Sequence, residues 1–277
     1  MCRWLAYSGD PIYLDTLITQ PDHSLVQQSL NSRLNFNQAG KLLSTNGDGF
    51  GIGWYDQRDV PGVFKDDIPA WHDNNLANLC HHIRAHTFMA HVRATTTGAI
   101  QRTNCHPFSY KNWLFQHNGQ VSHFPKIRRE LQFAIAPELF PHIHGNTDSE
   151  TFFLLAVTYG LMDNPKTAIE RMIEKVLTTL TQYDSDGVLN LSLAISDGTH
   201  LYTVRFSHNE APMTQFYSTN TACLEAFDNE SLPAIPNGCT VVVSEPLDNR
   251  DSHWQAIENH TFTTIKHNQV TTQPLFS

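Results

Sequence analysis

A cysteine at position 2 follows a methionine that is readily trimmed before so small a residue, so Cys2 could present a thiol and a free α-amine together. An α-amine ordinarily titrates near 7.7–8.0 and a thiol near about 8.5. The amine, directly or through a water, can therefore take the thiol's proton, making one residue both nucleophile and base. A cysteine at position 2 is unremarkable by itself and gains meaning only from its company. Further along, Trp113-Leu114-Phe115-Gln116-His117-Asn118-Gly119 is an apolar strand running into Asn-Gly. That dipeptide reads either as a tight turn or as an oxyanion hole, with the Asn118 amide and the Gly119 N–H aimed at one oxygen. Glycine at 119 would let the backbone approach a substrate closely.

Two more segments could bind a substrate's charges. His91-Val92-Arg93-Ala94-Thr95-Thr96-Thr97-Gly98 is a strand end breaking into a hydroxyl-rich loop. Arg93 offers a planar fork suited to a carboxylate, although a surface salt bridge would also account for it. Gly145-Asn146-Thr147-Asp148-Ser149-Glu150 precedes an apolar helix. Thr147 or Asp148 could be a plain helix cap, or the Asp148 carboxylate could hold an ammonium. An arginine for a carboxylate and an aspartate for an ammonium together would define an amino-acid pocket.

These residues need elements to position them. Residues 2–7 alternate with the period of a strand, with Cys2, Trp4 and Ala6 on one side and Arg3, Leu5 and Tyr7 on the other. Further strands are predicted at Phe50–Tyr55, Phe88–Ala94, Trp113–His117, Leu191–Ser196, His200–Phe206, Thr240–Ser244 and Phe262–Lys266, with a hairpin turn at Asp197-Gly198. A helix over Ser149–Met162 is apolar nearly all round and so is expected to be buried. A second begins at Asn164-Pro165 and carries Ala168, Ile169, Met172, Ile173, Val176, Leu177 and Leu180 at helical spacing. The stretch Asp56–Asn78 reads as surface loop. Strands at both ends with helices between them suit antiparallel sheets with helices on their outer faces rather than an alternating β-α-β fold. Residues 1–277 are expected to form a single domain.

The whole-chain composition narrows the function. Of 277 residues, 40% are hydrophobic, enough for a sizeable core, and the formal net charge is -9. With no run of basic residues, neither nucleic acid nor a membrane surface is expected as a partner. The five cysteines, Cys2, Cys80, Cys105, Cys223 and Cys239, are odd in number and never paired as C-x-x-C, which argues against a disulfide framework or structural zinc. The start lacks the pattern of a signal peptide, and no apolar run approaches the ~20 residues of a membrane span. A cytoplasmic protein without cofactor or metal is expected. The sixteen histidines include His81, His82 and His86 and the pair His142 and His144, but no carboxylate is arranged around them in a metal-ligand pattern. The glycines of 47–53 lack a phosphate-cradling spacing and suit turns and close sheet packing.

In this order, the N-terminal cysteine, the H-x-R-x-x-T-x-G segment, Asn104-Cys105-His106-Pro107, His117-Asn118-Gly119 and Thr147-Asp148-Ser149-Glu150 resemble the class II (N-terminal nucleophile) glutamine amidotransferases. The opening Met1-Cys2-Arg3-x-Leu5-Ala6-Tyr7, Asp48-Gly49-Phe50-Gly51-Ile52-Gly53-Trp54-Tyr55 and Val243-Ser244-Glu245-Pro246-Leu247-Asp248 resemble one branch more closely. That branch holds small stand-alone members, including the amidohydrolase of ergothioneine synthesis and the amidotransferase-like subunit of an alternative glutathione-degradation complex.

The resemblance implies an α+β fold, a four-layer α-β-β-α sandwich of antiparallel sheets. It implies Cys2 as nucleophile, Asn118 and Gly119 as the oxyanion hole, Arg93 for the substrate carboxylate, Asp148 for its ammonium, and Thr96 in the pocket. Ala94 and Thr97 stand where larger synthase-fused members carry Trp and His, which implies a more open pocket wall. The expected substrate is glutamine or a γ-glutamyl compound, cleaved to glutamate plus ammonia or an amine. A protein partner that accepts ammonia or supplies substrate is a further expectation. The competing expectation is a silent or partner-activated amino-acid-binding subunit.

Overall fold

The computed structural model describes residues 2–34, 45–95, 98–219 and 238–276. Strands are numbered in chain order. One sheet contains β1 (Arg3–Tyr13), β2 (Phe50–Tyr55), β3 (Gly62–Asp66), β4 (Arg84–Val92), β9 (Phe216–Ser218), β10 (Thr240–Val243) and β11 (Trp254–Ala256), in the order β11-β9-β10-β1-β4-β2-β3. The other contains β5 (Phe108–Tyr110), β6 (Trp113–Val121), β7 (Leu189–Ser196), β8 (Leu201–His208), β12 (Thr261–Lys266) and β13 (Gln269–Pro274), in the order β13-β12-β8-β7-β6-β5. Every strand pairing among the described residues is antiparallel.

The period-2 alternation of side chains explains the layering. On β1, Leu5 and Tyr7 join Phe50, Ile52, Phe88, Ala90, Val241 and Val243 in a core shared with Leu17 of α1 (Asp15–Ile18), Leu25 of α2 (Leu25–Leu30) and Leu76 of α3 (Asn74–His82). Trp4 and Ala6 face the other way, into a smaller cluster with Tyr55, Met89, Leu114, Ala194, Leu201, Val242 and Ile265 between the sheets. The outer face of the second sheet packs Phe115, Leu191, Leu193 and Val204 against α4 (Phe124–Phe133), α5 (Asp148–Thr158) and α6 (Pro165–Tyr183). Helix, sheet, sheet and helix therefore stack in four layers, as the family resemblance implies.

Several elements depart from the sequence reading. The stretch Asp56–Asn78 is not all loop: it holds β3, a 3-10 turn at Ala70–His72 and the start of α3, capped by Asp73. Its strand is a short edge strand without an apolar face, so alternation does not reveal it. Asn118 and Gly119 do not turn. They continue β6, opposite Ser192 and Leu191 of β7. The hairpin at Asp197-Gly198 does form, with Gly198 at φ 91° and Asp197 Oδ1 accepting from the Thr199 and His200 N–H groups at 2.7 Å. Asn164 caps α6 through the Thr167 N–H at 3.2 Å.

The middle glycines of β2 bring the two sheets together. A Cβ on Gly51 would lie 2.1 Å from the His106 carbonyl oxygen, and one on Gly53 would meet Leu114 and Pro107 at 2.8 Å. Since the obstacle at Gly51 is backbone, it cannot swing aside. Gly51→Ala is predicted to cost roughly 1–3 kcal/mol, lowering the melting temperature by about 2–4 °C per kcal/mol. A calorimetric melt matching the parent would show that the sheets can separate there freely.

Candidate active site

Cys2 lies directly before β1, and Arg3 pairs with Val92 at the end of β4. The half-buried Cys2 sulfur is 3.5 Å from both the N–H and the carbonyl oxygen of Ala94. Burial pushes its thiol up, while the chain's amino terminus, the Ala94 N–H and the charges of Arg93 and Arg3 pull it down. Arg93 is buried beside it, its Nη1 donating to the Ala99 carbonyl at 3.0 Å and the Asp48 carbonyl at 3.4 Å. The backbone of that loop is fixed by Asp48, whose Oδ2 accepts the Thr95 N–H at 2.7 Å.

Asn118 reaches the same end of the sandwich from the opposite sheet. Leu114 of β6 faces the intersheet cluster, so Gln116 and Asn118 do too. The Gln116 amide donates to the Leu5 carbonyl at 2.9 Å, and His91, cross-strand neighbour of Trp4, lies 3.2 Å from the His117 carbonyl. Moving from Leu5 back to Cys2 therefore runs alongside moving from Gln116 on to Asn118. The Asn118 side chain is buried, and among the described residues neither its Oδ1 nor its Nδ2 has a hydrogen-bond partner. Burying an unpaired amide costs roughly 1–3 kcal/mol, and both polar atoms of Asn118 are available to a further hydrogen-bond partner. Gly119 is required for a reason beyond substrate approach: a Cβ there would sit 1.9 Å from the Asn190 carbonyl oxygen of β7.

Asp148 is the first residue of α5, but it is not the cap. The Thr147 hydroxyl accepts the Glu150 N–H at 3.2 Å and fills that role. Glu150 in turn accepts the His144 and Gly145 N–H groups at 2.9 and 2.8 Å, which shapes the approach to the helix. The buried Asp148 carboxylate accepts the Ser149 N–H at 2.7 Å. His117 connects it to the oxyanion candidates. Its Nε2 is 3.2 Å from the Asn190 carbonyl, which can only accept, so that nitrogen carries a proton, and its Nδ1 is 2.9 Å from the Ser149 hydroxyl, which donates to Asp148 Oδ1 at 3.2 Å. Asn104 ties the remaining loops together, donating to the Ala99 carbonyl at 2.8 Å and to Asn146 Oδ1 at 2.7 Å, and accepting the Asn146 N–H at 2.9 Å.

Cys2 and Arg93 thus lie together where β1 begins and β4 ends, Asn118 faces the intersheet layer, and Asn104 ties the Ala99 loop beside Arg93 to the Asn146 loop before Asp148, while Thr96 and Thr97 lie outside the described residues. Sequence reasoning missed the contributions of Ala94, Asp48, Asn104 and Ser149. All four stood in segments singled out for their resemblance, but only Ala94 was given a place there, in the pocket wall. Among the described residues, no group of three or more His, Cys, Asp or Glu side chains is placed to hold a metal ion. His81 instead pairs with Asp15 at 2.9 Å. No helix among the described residues is long and apolar enough to cross a membrane.

Residues 23–275 match the family of class II glutamine amidotransferases, a stretch that starts downstream of Cys2. Over 99% of its length the chain is 30% identical to the probable glutamine amidotransferase DUG3 of Saccharomyces cerevisiae, covering 84% of that protein. The chain belongs to the class II glutamine amidotransferases. Over 122 residues, 44% of this chain and 52% of the relative, it is 35% identical to the gamma-glutamyl-hercynylcysteine sulfoxide hydrolase of Mycolicibacterium smegmatis. A solved glutamine aminotransferase class-II domain protein from Silicibacter pomeroyi superposes with a TM-score of 0.69 at 29% identity, covering 99% of both chains. This amidotransferase is accordingly an enzyme of amidohydrolase type with the two-sheet fold of N-terminal nucleophile hydrolases.

Beneath the amidotransferase site lie three buried histidines. His91 and His106 stack with ring centroids 4.1 Å apart. Burial holds His91 down to about 3 and His106 well below its ordinary range, and it also lowers His117 despite the nearby Asp148. All three are neutral in the fold but take up a proton on unfolding near about 6.5. Between that value and their folded values the unfolded chain binds more protons, so their contribution is present above about 6.5 and lost as pH falls. Urea unfolding is predicted to show a loss of roughly 2 kcal/mol at pH 5 from His91 alone. His91→Gln should reduce the pH slope by about one proton. An unchanged slope would mean that His91 is already charged in the fold.

Proposed function

We propose that this enzyme, with Met1 removed, hydrolyses the side-chain amide of glutamine or a γ-glutamyl compound through a γ-glutamyl thioester on Cys2. The observation that carries this reading is the buried, unpartnered Asn118 amide on the same intersheet end as the Cys2 sulfur.

Arg93 holds the donor's α-carboxylate and Asp148 its α-ammonium, with Thr96 in the pocket wall, so the γ-carbonyl lies over Cys2. The Cys2 α-amine takes the thiol proton, and the sulfur attacks the carbonyl carbon. Asn118 and Gly119 receive the charge that develops on the carbonyl oxygen. As the tetrahedral intermediate collapses, the C–N bond breaks and the ammonium of Cys2 returns its proton to the departing nitrogen. Water, deprotonated by the same amine, then attacks the thioester carbon, releasing glutamate and the thiol.

We read residues 1–277 as one catalytic domain. Cys2, Cys80 and Cys105 are free thiols, which accords with a reducing compartment such as the cytoplasm. The leaving group is ammonia or a larger amine, since the proposed binding residues touch only the glutamyl half. The S. cerevisiae relative is described as a probable glutamine amidotransferase and the M. smegmatis one as a hydrolase of a γ-glutamyl compound, and both descriptions support a glutamyl donor. A protein partner that delivers the donor or takes the ammonia fits the same chemistry.

The test begins with intact mass to verify that Met1 is absent, followed by glutamate release from glutamine and a panel of γ-glutamyl amides. Cys2→Ala should abolish release and block labelling by a glutamine-analogue electrophile. Asn118→Ala should lower kcat by about 10²–10³-fold with little change in KM, whereas Asp148→Asn should act mainly on KM. Turnover that survives Cys2→Ala would remove the thioester from the mechanism.

A further inference from the structure

Arg3, next to the nucleophile in the opening segment, and Ser244-Glu245, both in segments that resemble one branch of the family, have no role in the reaction above. They meet behind the nucleophile. Arg3 is only 1% exposed, with its Nε 3.2 Å from Glu245 Oε2 and its Nη1 donating to the Cys2 carbonyl oxygen at 3.0 Å. Glu245, also 1% exposed, accepts the backbone N–H groups of Arg33 and Leu34 at 2.7 and 3.0 Å and lies 2.5 Å from His23 Nε2. Its own carbonyl accepts from the Gln28 amide at 3.1 Å. Ser244 locks that segment to β1 reciprocally: its hydroxyl accepts the Trp4 N–H at 3.1 Å, and its N–H donates to the Trp4 carbonyl at 3.0 Å.

A buried arginine–glutamate pair gives little net stability, because desolvation offsets the attraction. What this pair fixes is geometry. The guanidinium is a rigid planar fork, so anchoring Nε on Glu245 determines where Nη1 points. The residue it reaches is unusual. Once Met1 is gone, Cys2 has an amine in place of a peptide N–H, and its only backbone tie to the sheet is its carbonyl. The torsion that remains, between the Cys2 Cα and that carbonyl, sets the directions of both the sulfur and the amine.

We infer that Arg3, clamped by Glu245, is a positioning residue that holds the Cys2 carbonyl and so aims the thiol and the α-amine at the γ-carbonyl. This rests on the hydrolysis proposed above. Lysine at 3 could still pair with Glu245, but a single ammonium cannot hold the carboxylate and the carbonyl in the same plane. Arg3→Lys is expected to lower kcat by roughly 10–100-fold, as for other ångström-scale misplacements of reacting groups. KM should stay within about twofold of the parent, since no bond from Arg3 reaches the proposed glutamyl pocket. The assay uses the full chain, with intact mass showing Met1 removed in every sample and a thermal melt showing cooperative folding. If Arg3→Lys does not fold, Glu245→Gln carries the same expectation, because it leaves Arg3 in place without its anchor. A kcat within twofold of the parent, or a loss confined to KM, would overturn the inference. Alkylation of Cys2 by iodoacetamide separates the two ideas. If the parent hydrolyses no glutamyl donor, the reaction fails, yet slower alkylation in Arg3→Lys would still support the clamp and equal rates would still refute it.

Discussion

The relative slide of the two sheets is the constraint on which the rest depends. It is fixed by polar bonds that cross an otherwise apolar layer: the Gln116 amide on the Leu5 carbonyl, and His91 against the His117 carbonyl. Each lies where the alternation of its strand points a side chain inward. A one-residue slip of β6 in its pairing with β7 would turn its inward side chains outward and carry Asn118 away from the Cys2 end. The glycines of β2 allow the layer to be thin enough for such short bonds to span it.

The electrostatics of this end follow from that packing. Buried, stacked imidazoles remain neutral, so the fixed positive charge near the sulfur comes from Arg93 and Arg3. Guanidinium groups do not titrate in the working range of an enzyme. Glu245 balances Arg3 at 3.2 Å, while the Asp148 carboxylate at the start of α5 lies near His117 and leaves the helix cap to Thr147. The local preference for a small hydroxyl residue at a helix start and the carboxylate proposed to bind substrate thus fall on adjacent residues.

Much of this was legible in the sequence. The alternation of residues 2–7 located β1 and its two faces, and Pro165 after Asn164 marked the start of α6. The residues of the site stood out because their types and order form a recognisable set. What escaped was of two kinds. Elements with little apolar periodicity, such as β3 with Gly62–Asp66 at a sheet edge, leave no pattern to detect. Contacts between distant segments, such as Glu245 behind Arg3, have no local spacing at all. The Asn118-Gly119 pair misled for a third reason. Turn preference is a weak local tendency, and pairing with Ser192 and Leu191 outweighs it.

Strand β1 is interior to its sheet, hydrogen-bonded to β4 on one side and β10 on the other. The proposed attacking atom is therefore attached to one of the least deformable parts of the molecule, whereas the proposed contacts to the glutamyl group come from the loop after β4 and the first turn of α5. Donor preference can then be rewritten by changing loop residues without disturbing the angle of attack. A lineage could exchange one γ-glutamyl compound for another while its bond-breaking apparatus stayed the same.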